Sequence, residues 1–294
     1  MTGPGDATVH HAVEWVPGRL ELGEGPRWVD GRLVFVNILA GTLYAADTGA
    51  PGAATVLAST APLPLGAVAP LESEPGSWVA AVGTGVAILR PGQEPTWLGK
   101  PADGGTPRRM NDGVCDPRGR FWATCMGWGA EPGAGSVFLV DQDGTISTQL
   151  DGLTVPNGPA FTPDGTVMYL ADSARRLVFR HELDAEGRLG PGDVLIELTD
   201  GSPDGMTVDT NGDLWVAVWG AGQVRRFDAR GRLRGVVDVP APQPTAPCLV
   251  EGRLFVTTAA RGLTGDDGSA SGAVFVADVG ASAPPAAAYV MRGR

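Results

Sequence analysis

The sequence predicts an all-β protein, a six-bladed β-propeller of four-stranded antiparallel blades, on three observations. First, a unit with a glycine-bearing turn between two apolar runs recurs six times. The turn glycines are Gly31, Gly76, Gly119, Gly165, Gly212 and Gly252. Second, their spacing of 40 to 47 residues is the length of one propeller blade. Third, the apolar runs are strand-length and rich in β-branched and aromatic residues, and no stretch keeps a 3.6-residue period.

The composition indicates one domain over residues 1–294, with about residues 1–12 as a flexible N-terminal tail. The 44 Gly and 25 Pro are spread along the chain, as in a fold of many short strands, and no linker divides it. Propellers commonly close by pairing both termini in one blade. We expect the stretch near Val13 and Trp15 to be the outer strand of the last blade; the alternative is the stretch near Tyr289.

The unit that begins at Gly205 shows the strand order within a blade. Its predicted strands are 205–209, 213–219, 223–228 and 233–239. Because the first strand of a blade is innermost and successive strands alternate in direction, the start of this strand and the loop after the second strand share one face. The predicted loops of that face are 37–41, 83–85, 126–135, 172–176, 219–222 and 261–272.

Oxygen-bearing side chains open four of the six first strands. Glu24, Asp112, Asn157 and Asp204 are each followed by glycine and stand seven or eight residues before a turn glycine. Equivalent positions of a ring converge on its axis, which predicts a cation site. Glu24, Asn157 and Asp204 offer two carboxylates and an amide carbonyl, which suit one divalent cation, Ca²⁺ first and Mg²⁺, Mn²⁺ or Zn²⁺ as alternatives.

The charge of the chain bounds its partners. A formal net charge of −11 disfavours nucleic acid and anionic membranes, which are bound through clustered Lys and Arg, and leaves a small-molecule substrate. No apolar run approaches the roughly 20 residues that span a bilayer, and the first residues lack a secretory pattern, so we expect a cytoplasmic protein. We expect a monomer or a weak homodimer.

Four segments resemble the regucalcin (senescence marker protein)/gluconolactonase family. They are Leu22-Gly23-Glu24-Gly25-Pro26; Arg109-Met110-Asn111-Asp112-Gly113 with Asp116 to Trp122; Asn157-Gly158 with Thr162 to Gly165; and Pro203-Asp204-Gly205-Met206 with Leu214 to Ala217. The resemblance implies a six-bladed propeller with one divalent metal on Glu24, Asn157 and Asp204. It also implies that Arg109 and Asn111 contact substrate, and that Asp204 is the general base of aldonolactone hydrolysis.

The leading hypothesis is therefore a metal-dependent lactonase, a carboxylic ester hydrolase. We place Asp112, Trp128 and Trp219 beside Arg109 and Asn111 as substrate contacts; Asp112 has the alternative of bridging backbone amides near the axis. Hydrolysis of organophosphorus esters is the close alternative, and an isomerase or cyclase of secondary metabolism is another. After the hydrolases and the non-hydrolytic enzymes, the third class is a calcium-binding protein without catalytic activity.

One loop departs from the family pattern. Thr124-Cys125-Met126 stands where many members have Gly-Thr-Met, and the acid that helps bind sugar hydroxyls would fall near Ala130 or Glu131. The tryptophan in this loop, Trp128, suggests a less polar pocket than a sugar acid needs. The departure therefore concerns the substrate, whereas the metal-ligand positions follow the family pattern.

Overall fold

The structure is a computed structural model that describes residues 7–47, 49, 51–264 and 270–292. Two short strands, β1 (Thr8–His11) and β2 (Val13–Val16), come first along the chain. The strands of the first blade are β3 (Gly23–Val29), β4 (Arg32–Asn37), β5 (Thr42–Asp47) and β6 (Thr55–Ser59). The second blade consists of β7 (Leu65–Pro70), β8 (Trp78–Val82), β9 (Gly85–Leu89) and β10 (Thr96–Gly99).

The next two blades repeat this plan. The third contains β11 (Arg108–Cys115), β12 (Phe121–Gly127), β13 (Gly135–Val140) and β14 (Ile146–Leu153). The fourth contains β15 (Pro156–Phe161), β16 (Val167–Asp172), β17 (Leu177–Leu183) and β18 (Leu189–Glu197). A 3₁₀ turn, Ser173–Arg175, connects β16 to β17. It is short because such turns satisfy few backbone groups.

The last two blades also contain the N-terminal strands. The fifth is built from β19 (Ser202–Val208), β20 (Leu214–Trp219), β21 (Gln223–Phe227) and β22 (Leu233–Asp238). The sixth begins with β23 (Pro244–Val250), β24 (Arg253–Thr258) and β25 (Val274–Asp278). The six-bladed, all-β prediction is thus confirmed. The described residues include no helix long and apolar enough to cross a bilayer.

The ring closes through its N-terminus. The strand β2 pairs antiparallel with β25 and is the outermost strand of the sixth blade. Trp15 of β2 is 5% exposed and packs edge-on against Phe255 of the same blade. The expectation that this stretch supplies the outer strand is confirmed.

The expected N-terminal tail is wrong for part of its length. Thr8–His11 form β1, which pairs parallel with β22 as a fifth strand of the fifth blade. The reason is that β22 would otherwise present an edge of unpaired backbone N–H and C=O groups, which an extended segment can satisfy. The first six residues of the predicted tail lie outside the described residues.

The chain after β25 crosses the face opposite the inner-strand starts. The Thr210 N–H bonds to the carbonyl of Ser282, and the Tyr289 N–H bonds to the carbonyl of Pro70. Tyr289 is fully buried in the core between the second and third blades, and its hydroxyl donates to the carbonyl of Asp141 at 2.6 Å. This strap therefore ties the sixth blade to the second and third.

Each inner strand changes register near its start. In β3, β11, β15 and β19 the shift falls at the oxygen-bearing residue and its glycine. A bulge bends the strand and re-aims one side chain. The four oxygen-bearing residues, predicted to open the inner strands, lie at the second to fifth positions of those strands, at the bulges.

Candidate active site

A cavity of about 400 Å³ opens on the face where the inner strands begin. Its size suits a small organic molecule. Six of the sequence-predicted site residues line it: Glu24, Arg109, Asn111, Asn157, Asp204 and Trp219. The lining residues come from four blades, the first, third, fourth and fifth, and also include Ile38, Met126 and Ser173. The predicted face is therefore the one that carries the cavity.

The two carboxylates of the cavity are buried and repel one another. Glu24 is 5% exposed and Asp204 is 6% exposed. Burial raises the pKa of both carboxyls well above the usual range, and Asp112 raises each further; Asp204 also raises the pKa of Glu24. Ionised together, these groups are stable only beside positive charge.

The donor set fits a hard divalent cation. Within the described residues no three His, Cys, Asp or Glu side chains are grouped as a metal centre. The available ligands are thus two carboxylates, Glu24 and Asp204, and one amide oxygen, that of Asn157. Oxygen ligands of this kind suit Ca²⁺ or Mg²⁺, and a cation there would relieve the repulsion between the carboxylates.

A directed chain of hydrogen bonds holds the amide of Asn157. A guanidinium can only donate, so the bond from Arg109 Nη1 to Asn111 Oδ1, at 2.7 Å, fixes which end of the Asn111 amide is oxygen. Asn111 Nδ2 then donates to Asn157 Oδ1 at 2.6 Å, and Asn157 Nδ2 donates to Ser173 Oγ at 2.9 Å. Ser173 is the last residue of this series of hydrogen bonds. Asn157 therefore has one amide orientation, with a remaining lone pair on its oxygen.

Asp112 does not line the cavity, although it follows the same sequence pattern as Asp204. Its carboxylate accepts the N–H of Gly113 and the N–H of Gly158, both at 2.7 Å. These bonds join the inner strands of the third and fourth blades. The structure thus places Asp112 in the amide-bridging role that the sequence left as the alternative to substrate contact.

Arg27 lies beneath the site and was missed by sequence reasoning. Its Nε donates to the carbonyl of Val68 at 3.1 Å, and its guanidinium also donates to the carbonyl of Gly113, so it links three inner strands. Burial raises the pKa of Glu24 and of Asp112, and the positive charge of Arg27 offsets part of that rise. The segment Gly25-Pro26-Arg27 gave no local signal for this role, which depends on contacts with two other blades.

Arg109 and Trp128 form the rim of the cavity. Burial, with repulsion from Arg261, lowers the pKa of Arg109 to about 10. Its guanidinium lies 5.9 Å from the ring centroid of Trp128, within cation–π range. Trp128 is 48% exposed and is not part of the cavity wall, whereas Trp219 is.

The loop between β12 and β13 presents alanine, not acid, to the cavity. Ala130 lines the wall with a left-handed φ of 55°. The neighbouring Glu131 accepts the N–H of Gly129 at 3.1 Å through Oε2, and Glu131 does not line the cavity. Neither of the two positions considered for a hydroxyl-binding acid therefore supplies one to the cavity in this structure.

Two serines of the cavity were also missed. Ser173 lies in the predicted loop 172–176, and Ser202 opens β19 two residues before Asp204. Serine is common in loops and turns of any β protein, so its presence there carried no functional signal.

Comparison with known proteins agrees with this fold and shows the family. Residues 22–260 match the family model described as SMP-30/Gluconolactonase/LRE-like region. Pentonolactonase XacC of Haloferax volcanii is 33% identical, over 90% of this chain and 93% of that protein. The crystal structure of regucalcin from Agrobacterium tumefaciens, described as a calcium-binding protein, is 30% identical. It superposes with a TM-score of 0.87 over 96% of this chain and 99% of that chain.

The fold and the site together define a six-bladed propeller with an acidic axial pocket. The chain belongs to the SMP-30/gluconolactonase family. Its relatives include 6-deoxy-6-sulfogluconolactonase of Pseudomonas putida, 31% identical over 76% of this chain and 77% of that protein.

Proposed function

We propose that this protein is a divalent-metal-dependent lactonase, with Ca²⁺ as the first candidate metal. The observation that carries the proposal is the convergence of Glu24, Asn157 and Asp204, from three different blades, in one cavity with Arg109 and Asn111. The family supports it, since several relatives are named for lactone hydrolysis.

Glu24, Asn157 and Asp204 would hold the metal. When bound, it would polarise the lactone carbonyl as a Lewis acid. Asp204 accepts a proton from the attacking water, whose oxygen bonds to the carbonyl carbon. The bond from that carbon to the ring oxygen then breaks, and the proton passes to this oxygen, giving a hydroxy acid. Asp204 lines the cavity and is 6% exposed, so its carboxylate is available inside the site and not in bulk water.

Arg109 and Asn111 position the substrate. Arg109 uses one nitrogen, Nη1, to bond Asn111 and the carbonyl of Met110, and its other N–H groups stay available to lactone oxygens. The hydrogen bonds to Asn111 hold both side chains in one geometry. Such pre-organisation lowers the entropic cost of reaching the transition state.

The first test compares lactones, phosphotriesters and aryl esters after removal of metal with EDTA and re-addition of Ca²⁺, Mn²⁺ or Zn²⁺. We expect lactone opening, measured with a pH indicator, to be lost with EDTA and restored by a divalent ion. Turnover of phosphotriesters alone would favour the organophosphorus alternative. Full lactone turnover without metal would exclude the proposed electrophile.

Asp204→Asn tests the general base. The change keeps the shape of the side chain and removes its charge, so we expect kcat to fall by about 10²- to 10⁴-fold and Ca²⁺ binding to weaken in calorimetry. Asp193→Asn, on the exposed part of β18, is the matched control and should retain both properties. Wild-type turnover in Asp204→Asn would remove Asp204 from the mechanism.

A further inference from the structure

Most of the cavity wall between the predicted metal ligands is apolar. Five of the wall residues have large apolar side chains. They are Leu22, Ile38, Met126, Val155 and Trp219. They come from loops and strand starts of several blades, so the apolar character is a property of the whole pocket and not of one loop. A substrate that fills this cavity must place much of its surface against carbon.

Four polar side chains of the wall, those of Arg109, Asn111, Asn157 and Ser173, are already engaged with one another. Asn111 uses its oxygen for Arg109 and its nitrogen for Asn157 and the carbonyl of Pro156. Asn157 uses its nitrogen for Ser173. The free oxygens of Glu24, Asn157 and Asp204 would serve the metal. Beside them, the polar side-chain groups that stay available among the described wall residues are the rest of the Arg109 guanidinium and the hydroxyls of Ser173 and Ser202. These groups can serve a lactone carbonyl and ring oxygen, but they are too few for three or four further hydroxyls.

Among the described residues, the loop between β12 and β13 does not supply another acceptor. Ala130 occupies the wall position, and the Glu131 carboxylate is bonded to the N–H of Gly129. A sugar hydroxyl facing Ala130 would lose its hydrogen bonds to water without gaining a hydrogen bond to the Ala130 side chain. Burying an unpartnered hydroxyl opposes binding, whereas an alkyl group at the same place gains from burial.

We propose that this cavity takes a γ-lactone whose ring carries an alkyl substituent in place of the hydroxyl groups of a sugar lactone. The inference rests on the proposed lactonase function and names its substrate class. It separates this chain from relatives named for sugar lactones, such as pentonolactonase XacC and L-arabinolactonase.

The test compares two γ-lactones of the same ring size on the full-length protein with Ca²⁺: γ-octalactone and L-arabinono-1,4-lactone. We expect kcat/KM for γ-octalactone to be higher by about tenfold or more, because each unmatched hydroxyl or lost apolar contact is worth roughly tenfold. Preference for the arabinonolactone would overturn the substrate inference and leave the lactonase function standing. Hydrolysis of neither lactone would overturn both.

Ala130→Asp tests the loop position directly. The left-handed φ there is one that Asp tolerates better than most residues, so the variant is expected to fold. We expect the ratio of kcat/KM values to move about tenfold toward the arabinonolactone. Ala185→Asp, in the exposed hairpin between β17 and β18, adds the same charge away from the cavity and should leave the ratio unchanged. An unchanged ratio in Ala130→Asp would contradict the proposal that Ala130 disfavours a sugar hydroxyl at this place in the cavity.

A binding measurement gives a second readout that does not depend on turnover. The lactam 5-butyl-2-pyrrolidinone has the ring and alkyl chain of γ-octalactone and resists hydrolysis. We expect it to bind the wild-type protein in calorimetry at least tenfold more tightly than 2-pyrrolidinone, since its butyl chain lies against the apolar wall. Equal affinity of the two lactams would overturn the inference even if Ala130→Asp failed to fold.

Discussion

At the scale of single residues, the site depends on which polar groups are free. Burial raises the pKa of Glu24, Asp204 and Asp112 alike, but only Asp112 also accepts a backbone N–H from the next blade, that of Gly158. All three have the same local pattern, an acid followed by glycine. Their different chemistry arises from their neighbours across the axis, since hydrogen bonding stabilises a carboxylate and desolvation destabilises it.

Ser173→Ala tests whether the hydrogen-bond chain holds the amide of Asn157. The change removes the acceptor of Asn157 Nδ2 and leaves the two carboxylates in place. Loss of one such bond is worth about 1 kcal/mol, so we expect Ca²⁺ affinity to fall roughly five- to tenfold in calorimetry. Ser173→Thr keeps a hydroxyl and should restore most of the affinity. Wild-type affinity in Ser173→Ala would mean that Ser173 does not position Asn157.

At the scale of secondary-structure elements, the bulges of the inner strands are the devices that build the site. Those of β7, β15 and β19 lie where the next inner strand approaches closely. A Cβ atom on Gly158, for example, would lie 2.8 Å from the backbone nitrogen of Met206. Glycine is required there both for this approach and for the left-handed φ of 54°. The Asn-Gly sequence alone is equally typical of a hairpin turn.

Gly158→Ala and Gly212→Ala form a matched pair that separates crowding from backbone strain. Both glycines have positive φ, but a Cβ on Gly212 would have no atom within 4 Å. We expect Gly212→Ala to lower the free energy of unfolding by about 1 kcal/mol and Gly158→Ala by about 3 kcal/mol. Urea unfolding measures both. Equal losses would show that the close approach of β15 and β19 contributes nothing.

At the scale of the whole molecule, both chain ends hold the ring together. The strand β2 completes the sixth blade, and the C-terminal strap passes from that blade to the second and third. A ring of blades is stable only when its last interface is closed, because each blade buries its apolar faces against its neighbours. The strand β2 and the C-terminal strap stabilise different interfaces, through contacts between residues far apart in sequence.

Tyr289 is the residue through which the strap can be tested. Tyr289→Phe removes the bond to the Asp141 carbonyl and should cost about 1 to 2 kcal/mol in urea unfolding. Tyr289→Ala also leaves a cavity in the core and should cost about 3 to 5 kcal/mol. Because the strap lies on the face opposite the cavity, we expect folded Tyr289→Phe to keep wild-type lactone turnover. Unchanged stability in both variants would show that the strap adds nothing to the ring.

The number of blades and the meeting of Glu24, Asn157 and Asp204 in one cavity were predictable from sequence, because repeat spacing and strand periodicity are local properties. The part of these three residues as metal ligands stays a prediction. Tertiary structure alone decided that Asp112 bridges two blades, that Arg27 lies under the site and that β1 joins the fifth blade. It also decided that Ala130, and not Glu131, meets the cavity. These outcomes depend on contacts between residues distant in sequence, and a local pattern does not encode which partner a side chain will meet after the ring has closed.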